Sequence, residues 1–234
     1  VITMNIPKTI ITALLTLSLT SCSSVPTALV SVVPPEKLVD EKTLELCEEG
    51  FISDAFDEAY DDFTGRTSEK VLMKDGNVCY SPLSLWYALA LASEGASGET
   101  KTEIDSLLTG GREIAETDPA NLRLRLAALL GNYEYTTLGI ANSVWSVSGL
   151  KESYAKSAAE KYFSECYNVP AFNSDTAKSM SDWVSDKTKG TLKPHFEFGK
   201  GDLPEMIAIL NTVYFKDEWT DRFNSSANTE DIFH

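Results

Sequence analysis

The 234-residue chain is 43% hydrophobic and 10% aromatic, which suits one globular domain with a sizeable core. Its formal net charge of −15 and pI of about 4.5 argue against nucleic acid as a partner, because such a surface repels phosphate backbones. The four cysteines, Cys22, Cys47, Cys79 and Cys166, contain no C-x-x-C pair and match no zinc spacing, so no metal or other cofactor is expected.

In chain order, Lys8 precedes an apolar stretch from Thr9 to Leu19 that is too short to span a bilayer. The stretch ends in Leu19-Thr20-Ser21-Cys22, which resembles the bacterial lipobox. The resemblance implies a signal over residues 1–22 and a lipid on the Cys22 thiol. It implies a location outside the cytoplasm, either anchored to the bacterial membrane through that lipid or secreted. Residues 23–40, with Ser23, Ser24, Pro26, Pro34 and Pro35, read as a tether, and residues 41–234 as the domain.

From Glu45 to Asp62 eight acidic residues occur with no basic one. Phe51, Ile52, Ala55, Phe56, Ala59, Tyr60 and Phe63 are interleaved at helical spacing, predicting a helix with one acidic and one packed face. Ser81-Pro82 opens a helix apolar on nearly every side, with Gly95 placed to stop it. Two further helices are expected, over about 98–108 with Ser97 as cap, and from Asp118-Pro119 to Gly131. Residues 138–148 read as a strand, and Tyr154 to Phe163 as a helix face. Tyr167 to Phe172 reads as an edge strand marked by Pro170, and Ala177 to Lys187 as a helix stopped by Gly190. The run 206–215 predicts a strand buried on both faces, with Asn211 a buried hydrogen-bond node inside it. Apolar neighbours predict Cys79 and Cys166 to be buried thiols. Helices first, then strands mixed with helices, give an α+β class.

Three blocks resemble the serpin family. The first is Asn77-Val78-Cys79-Tyr80-Ser81-Pro82-Leu83-Ser84, continued by Ala88-Leu89 and Gly95-Ala96-Ser97-Gly98-Glu99-Thr100. The second is Trp183-Val184 with Thr188 and Gly190; the third is Asn211, Tyr214-Phe215-Lys216, Trp219 and Phe223, ending at Phe233-His234. Ala141-Asn142 before Val144-Trp145 is a shorter fourth match. The blocks fall in the family's order and cover about residues 45–234.

The resemblance implies an inhibitor of serine or cysteine proteases that acts by inserting a cleaved loop into its main sheet. It implies that Ser81, Ser84 and Asn211 form a shutter under the sheet and that Trp219 lies at the breach where the loop enters. It places the helix of Trp183, Thr188 and Gly190 across the sheet's face. It also implies that this chain stops before the reactive loop, as a partial serpin domain. Ser181 and Asp217 depart from the family's usual Asn and Gly. Capping alone also explains Ser81, and core packing alone also explains Trp183 and Trp219. A non-inhibitory serpin-fold binding protein and a solute-binding lipoprotein are the alternatives. An enzyme is not expected: no G-x-S-x-G, H-E-x-x-H, P-loop or dinucleotide fingerprint occurs, and His195 and His234 are the two histidines.

Overall fold

A computed structural model describes residues 26, 28–29, 52–131, 136–198, 206–219 and 225–230. Helix α1 spans Asp54–Leu72 and is capped by Ser53, whose hydroxyl accepts the Phe56 N–H at 3.2 Å. Its packed face is Phe56, Ala59 and Phe63; the beginning of the expected helix, before residue 52, lies outside the described residues. Helix α2, Pro82–Gly95, starts as the sequence predicts, with Ser81 as cap and proline in its first turn. Its last residue, Gly95, is not in a left-handed conformation; glycine suits it because a Cβ there would crowd the Tyr154 ring at 3.1 Å.

Helix α3 spans Gly98–Thr109 and terminates in Gly110, whose φ of +60 favours glycine. Ser97 precedes α3 but makes no side-chain capping bond, so it is a cap by position only. Helix α4, Asp118–Gly131, is tied back to α1 by the buried Asp118 carboxylate. That carboxylate accepts the Ser53 N–H at 3.0 Å, the Ser53 hydroxyl at 2.6 Å and the Ala115 N–H at 2.7 Å.

Strand β1 is Thr137–Ser146, helix α5 Glu152–Tyr162, strand β2 Ser164–Asn168, helix α6 Ser174–Lys187 and strand β3 Ile207–Lys216; a 3-10 turn covers Ser225–Ala227. The sheet order is β2-β1-β3, with β2 parallel and β3 antiparallel to the central β1. Alternation sorts β1 onto two layers. Ile140 and Val144 join Phe56, Phe63, Trp86, Tyr87, Ala158 and Cys166 under α1, α2 and α5. Trp145 joins Tyr167, Met180, Trp183 and Val184 under α6 on the opposite face. Strand β3 contributes Ile209 and Val213 to the first layer, and Ala208 and Leu210 to the second. Among the described residues no helix is long and apolar enough to cross a membrane.

Three local expectations need correction. Strand β2 begins at Ser164 rather than Tyr167, because Phe163 takes a left-handed conformation (φ 50) that ends α5 and turns the chain straight into the strand. Pro170 then lies beyond β2, where it has no N–H to extend a ladder. The run 206–215 touches apolar groups on both faces but is mostly half-buried, with Ile207 56% and Phe215 60% exposed near its two ends. Cys166 is fully buried as expected, whereas Cys79 is exposed, because it sits in the extended segment between α1 and α2 rather than on an element.

Candidate functional site

Asn211 stands in the middle of β3, directly opposite Asn142 of β1 in the strand register. Both belong to the layer beneath α2 and α5, flanked by Ile140 and Val144 on one strand and Ile209 and Val213 on the other. The Asn211 Nδ2 donates to Asn142 Oδ1 at 2.6 Å, and the Asn142 Nδ2 donates to the Tyr162 carbonyl, at the end of α5, at 2.8 Å. The Asn211 Oδ1 is enclosed and has no hydrogen-bond partner among the described residues. An enclosed amide oxygen without a donor is costly, which makes this point of the sheet a place of stored polar demand.

Ser81 and Ser84 open α2, the helix that packs on β3. The Ser81 hydroxyl accepts the Ser84 N–H at 3.2 Å. The serines and Asn211 therefore share a layer, while no hydrogen bond among the described residues joins either serine to Asn211. Trp219 is not brought to them: it follows the end of β3 and is 75% exposed, so core packing does not account for it.

Trp183 lies on the other side of the sheet. It is buried on α6, and its indole N–H donates to the Glu165 carboxylate on β2. Glu165 also accepts the Tyr167 hydroxyl at 2.8 Å and the Lys187 ammonium at 2.9 Å. Burial opposes the Glu165 charge, but the bonds from Trp183, Lys187 and Tyr167 outweigh it and hold this carboxyl below its ordinary value. Burial, reinforced by the Glu165 charge, pushes the Tyr167 phenol up. The Tyr167 ring stacks on Trp145 of β1 at 4.2 Å, so the cluster ties α6 to both β2 and β1.

Thr188 and Gly190 finish α6. The buried Thr188 hydroxyl donates to the Val184 carbonyl at 2.7 Å and accepts the Leu192 N–H at 3.2 Å. Gly190, at φ +78, bonds back to the Ser185 carbonyl at 2.7 Å, a left-handed turn that favours glycine. The two family departures have local partners. Asp217 accepts the Thr136 hydroxyl at 2.8 Å, and Ser181 donates to the Pro194 carbonyl. His195 is a surface residue 2.9 Å from Glu197. Cys22, Phe223, Phe233 and His234 lie outside the described residues. Sequence reasoning assigned no role to Asn142 or Glu165. The strand register identifies the first, and only the packing of α6 identifies the second.

The family model described as "Serpin (serine protease inhibitor)" matches residues 58–234. An uncharacterized serpin-like protein of Thermococcus kodakarensis is 31% identical over 189 residues, 75% of this chain and 42% of that protein. Serpin-ZXA of Oryza sativa subsp. japonica is 30% identical over 165 residues, 68% of this chain and 41% of that protein. The chain thus spans about two fifths of these relatives' length. The solved structure of the thermophilic serpin tengpin in its latent state matches with a TM-score of 0.60 and 25% identity, covering 85% of this chain and 50% of that one. The family model covers more than half of the chain, and these relatives are at least 30% identical over more than two thirds of it: the chain belongs to the serpin family.

Proposed function

We propose that the whole protein to which this chain belongs inhibits a serine or cysteine protease by a conformational trap. The observation that carries the reading is the asparagine pair at the centre of the sheet. On that face a side-chain hydrogen bond from Asn211 to Asn142 adds to the backbone ladder between β3 and β1, and the Asn211 Oδ1, without a partner among the described residues, can accept a donor from a strand that arrives beside it. In this reading Ser81, Ser84 and Asn211 gate the parting of the sheet. Trp219 marks the entry point, and the helix of Trp183, Thr188 and Gly190 guards the outer face. None of them is a catalytic residue.

The protease nucleophile attacks the scissile carbonyl of an exposed loop. The peptide C–N bond breaks, the amine end leaves with the proton, and the acyl end stays on the enzyme as an ester or thioester. Insertion of the cut loop as a new strand releases strain held in the uncut fold and removes the enzyme's machinery before water can deacylate it. The loop comes from the portion of the whole protein outside this chain. The test is to express the complete reading frame, mix it with trypsin-like, chymotrypsin-like, elastase-like and subtilisin-like proteases, and run denaturing gels. A covalent complex is expected. Cleavage by every protease that reaches the loop, with no complex, would sink inhibition and leave a non-inhibitory serpin-fold binding protein.

We further propose that Cys22 carries the lipid that anchors this protein to a bacterial membrane, on the strength of Leu19-Thr20-Ser21-Cys22. Labelling with radioactive palmitate should be lost in Cys22→Ala; labelling and membrane fractionation both unchanged would remove the anchor.

A further inference from the structure

A backbone hydrogen bond ties Leu29, N-terminal to the helices and sheet, to the outer edge of β2. The Leu29 N–H donates to the Cys166 carbonyl at 2.7 Å. Because the backbone N–H and C=O of one strand residue point to the same side, this bond shows that the Cys166 backbone pair faces away from β1, toward Leu29. Ala28 packs against the cluster of Trp145, Tyr167, Trp183 and Val184, and both residues are half-buried. The composition agrees independently. Ala28 and Leu29 open the run Ala28-Leu29-Val30-Ser31-Val32-Val33, rich in strand formers and bounded by Pro26 and Pro34. A plain spacer has no need of such a run.

We propose that Ala28 and Leu29 are a strap that caps the free edge of β2 and shields the apolar cluster beneath α6. Strand β2 is five residues long and pairs in the described sheet with β1 alone, so its outer backbone groups are a template for pairing with another chain. Leu29 takes up the Cys166 carbonyl, and the Ala28 methyl covers the rim of the Trp145 and Trp183 layer. The segment between the signal and the domain thereby becomes part of the fold, and its release exposes a strand edge and an apolar seam together. The inference rests on the contacts of residues 28 and 29 and is independent of the inhibitory reading.

The test is amide hydrogen exchange on the full chain, with Leu29→Pro, which deletes the N–H, Ala28→Asp, which sets a charge on the apolar cluster, and Leu29→Ala, which keeps the N–H. In the unaltered chain the Leu29 amide should exchange at least roughly tenfold more slowly than a free amide. Leu29→Pro and Ala28→Asp should each speed exchange in residues 164–168 by about tenfold and raise self-association in sedimentation, with α1 to α3 unchanged. Leu29→Ala should stay within about threefold of the unaltered chain. An unprotected Leu29 amide overturns the strap without recourse to any variant. So does an exchange rate in residues 164–168 that is the same in the unaltered chain and in Leu29→Pro.

Discussion

Asn211 of β3 and Asn142 of β1 face each other in register, with the Asn211 Nδ2 donating a hydrogen bond of 2.6 Å to Asn142 Oδ1, and Asn142 in turn donates to the Tyr162 carbonyl at the end of α5 at 2.8 Å. The pair is a polar spine in an apolar layer. It fixes which strand residues oppose, since a one-residue slip of β3 would turn Asn211 to the α6 face and part it from Asn142. It also couples the sheet to the helix that leads into β2.

Truncating either amide should therefore be costly and non-additive. Asn142→Ala leaves the Tyr162 carbonyl and the Asn211 amide unpaired, and should lower stability by about 2 kcal/mol. Asn211→Ala leaves the Asn142 Oδ1 unpaired, with a smaller loss of about 1 kcal/mol because it also removes the unsatisfied Oδ1 of Asn211. The double variant should lose less than the sum, by about 1 kcal/mol in denaturant unfolding. Strict additivity would mean that the two side chains are not coupled.

Glu165 gives the α6 clamp a pH signature. Its carboxyl lies below the free value of 4.5 in the fold. Its contribution is thus present in full above pH 4.5 and is lost as the pH falls through the folded value. Glu165→Gln should weaken the protein by about 1–2 kcal/mol at pH 7 and flatten the acid limb of its stability curve. The fluorescence of Trp183, whose N–H loses its charged partner, should change with it. An acid limb of the same slope in both proteins would show that Glu165 is ionised to the same extent folded and unfolded.

Much of this architecture was legible in the sequence because its signals are local. Ser81-Pro82 marks the start of α2, and Gly190 marks the left-handed turn after α6. Apolar spacing marks the buried faces of α1 and α6. What escaped was set by partners distant in sequence. Asp118 reads as a helix-start residue, yet its carboxylate is a buried joint to Ser53, 65 residues away. Glu165 lies outside the strand expected from the sequence, and only the packing of α6 brings Trp183 and Lys187 onto it. The start of β2 was misplaced because no residue rule puts Phe163 in a left-handed turn. Asn211 stands out in the sequence as an amide inside an apolar run, although the structure leaves it half-buried rather than buried, while its counterpart Asn142 needed the register.

The two described cysteines should separate cleanly by reactivity. Cys79 is exposed, whereas Cys166 is fully buried and its thiol is pushed up to about 12 by burial. At pH 8 a maleimide should label Cys79 at least roughly a hundredfold faster than Cys166, and denaturant should abolish the difference. Equal rates in the native protein would contradict the placement of β2 beneath α5.

The central claim is that the sheet built around β1 and β3 accepts a further strand when a loop of the whole protein is cut. The most direct measurement is the melting temperature of the complete protein before and after a single cleavage in that loop. The account predicts that the cut form, with the loop inserted beside the Asn211 strand, melts higher by more than roughly 10 °C. A cut form that melts at or below the temperature of the uncut one would contradict it.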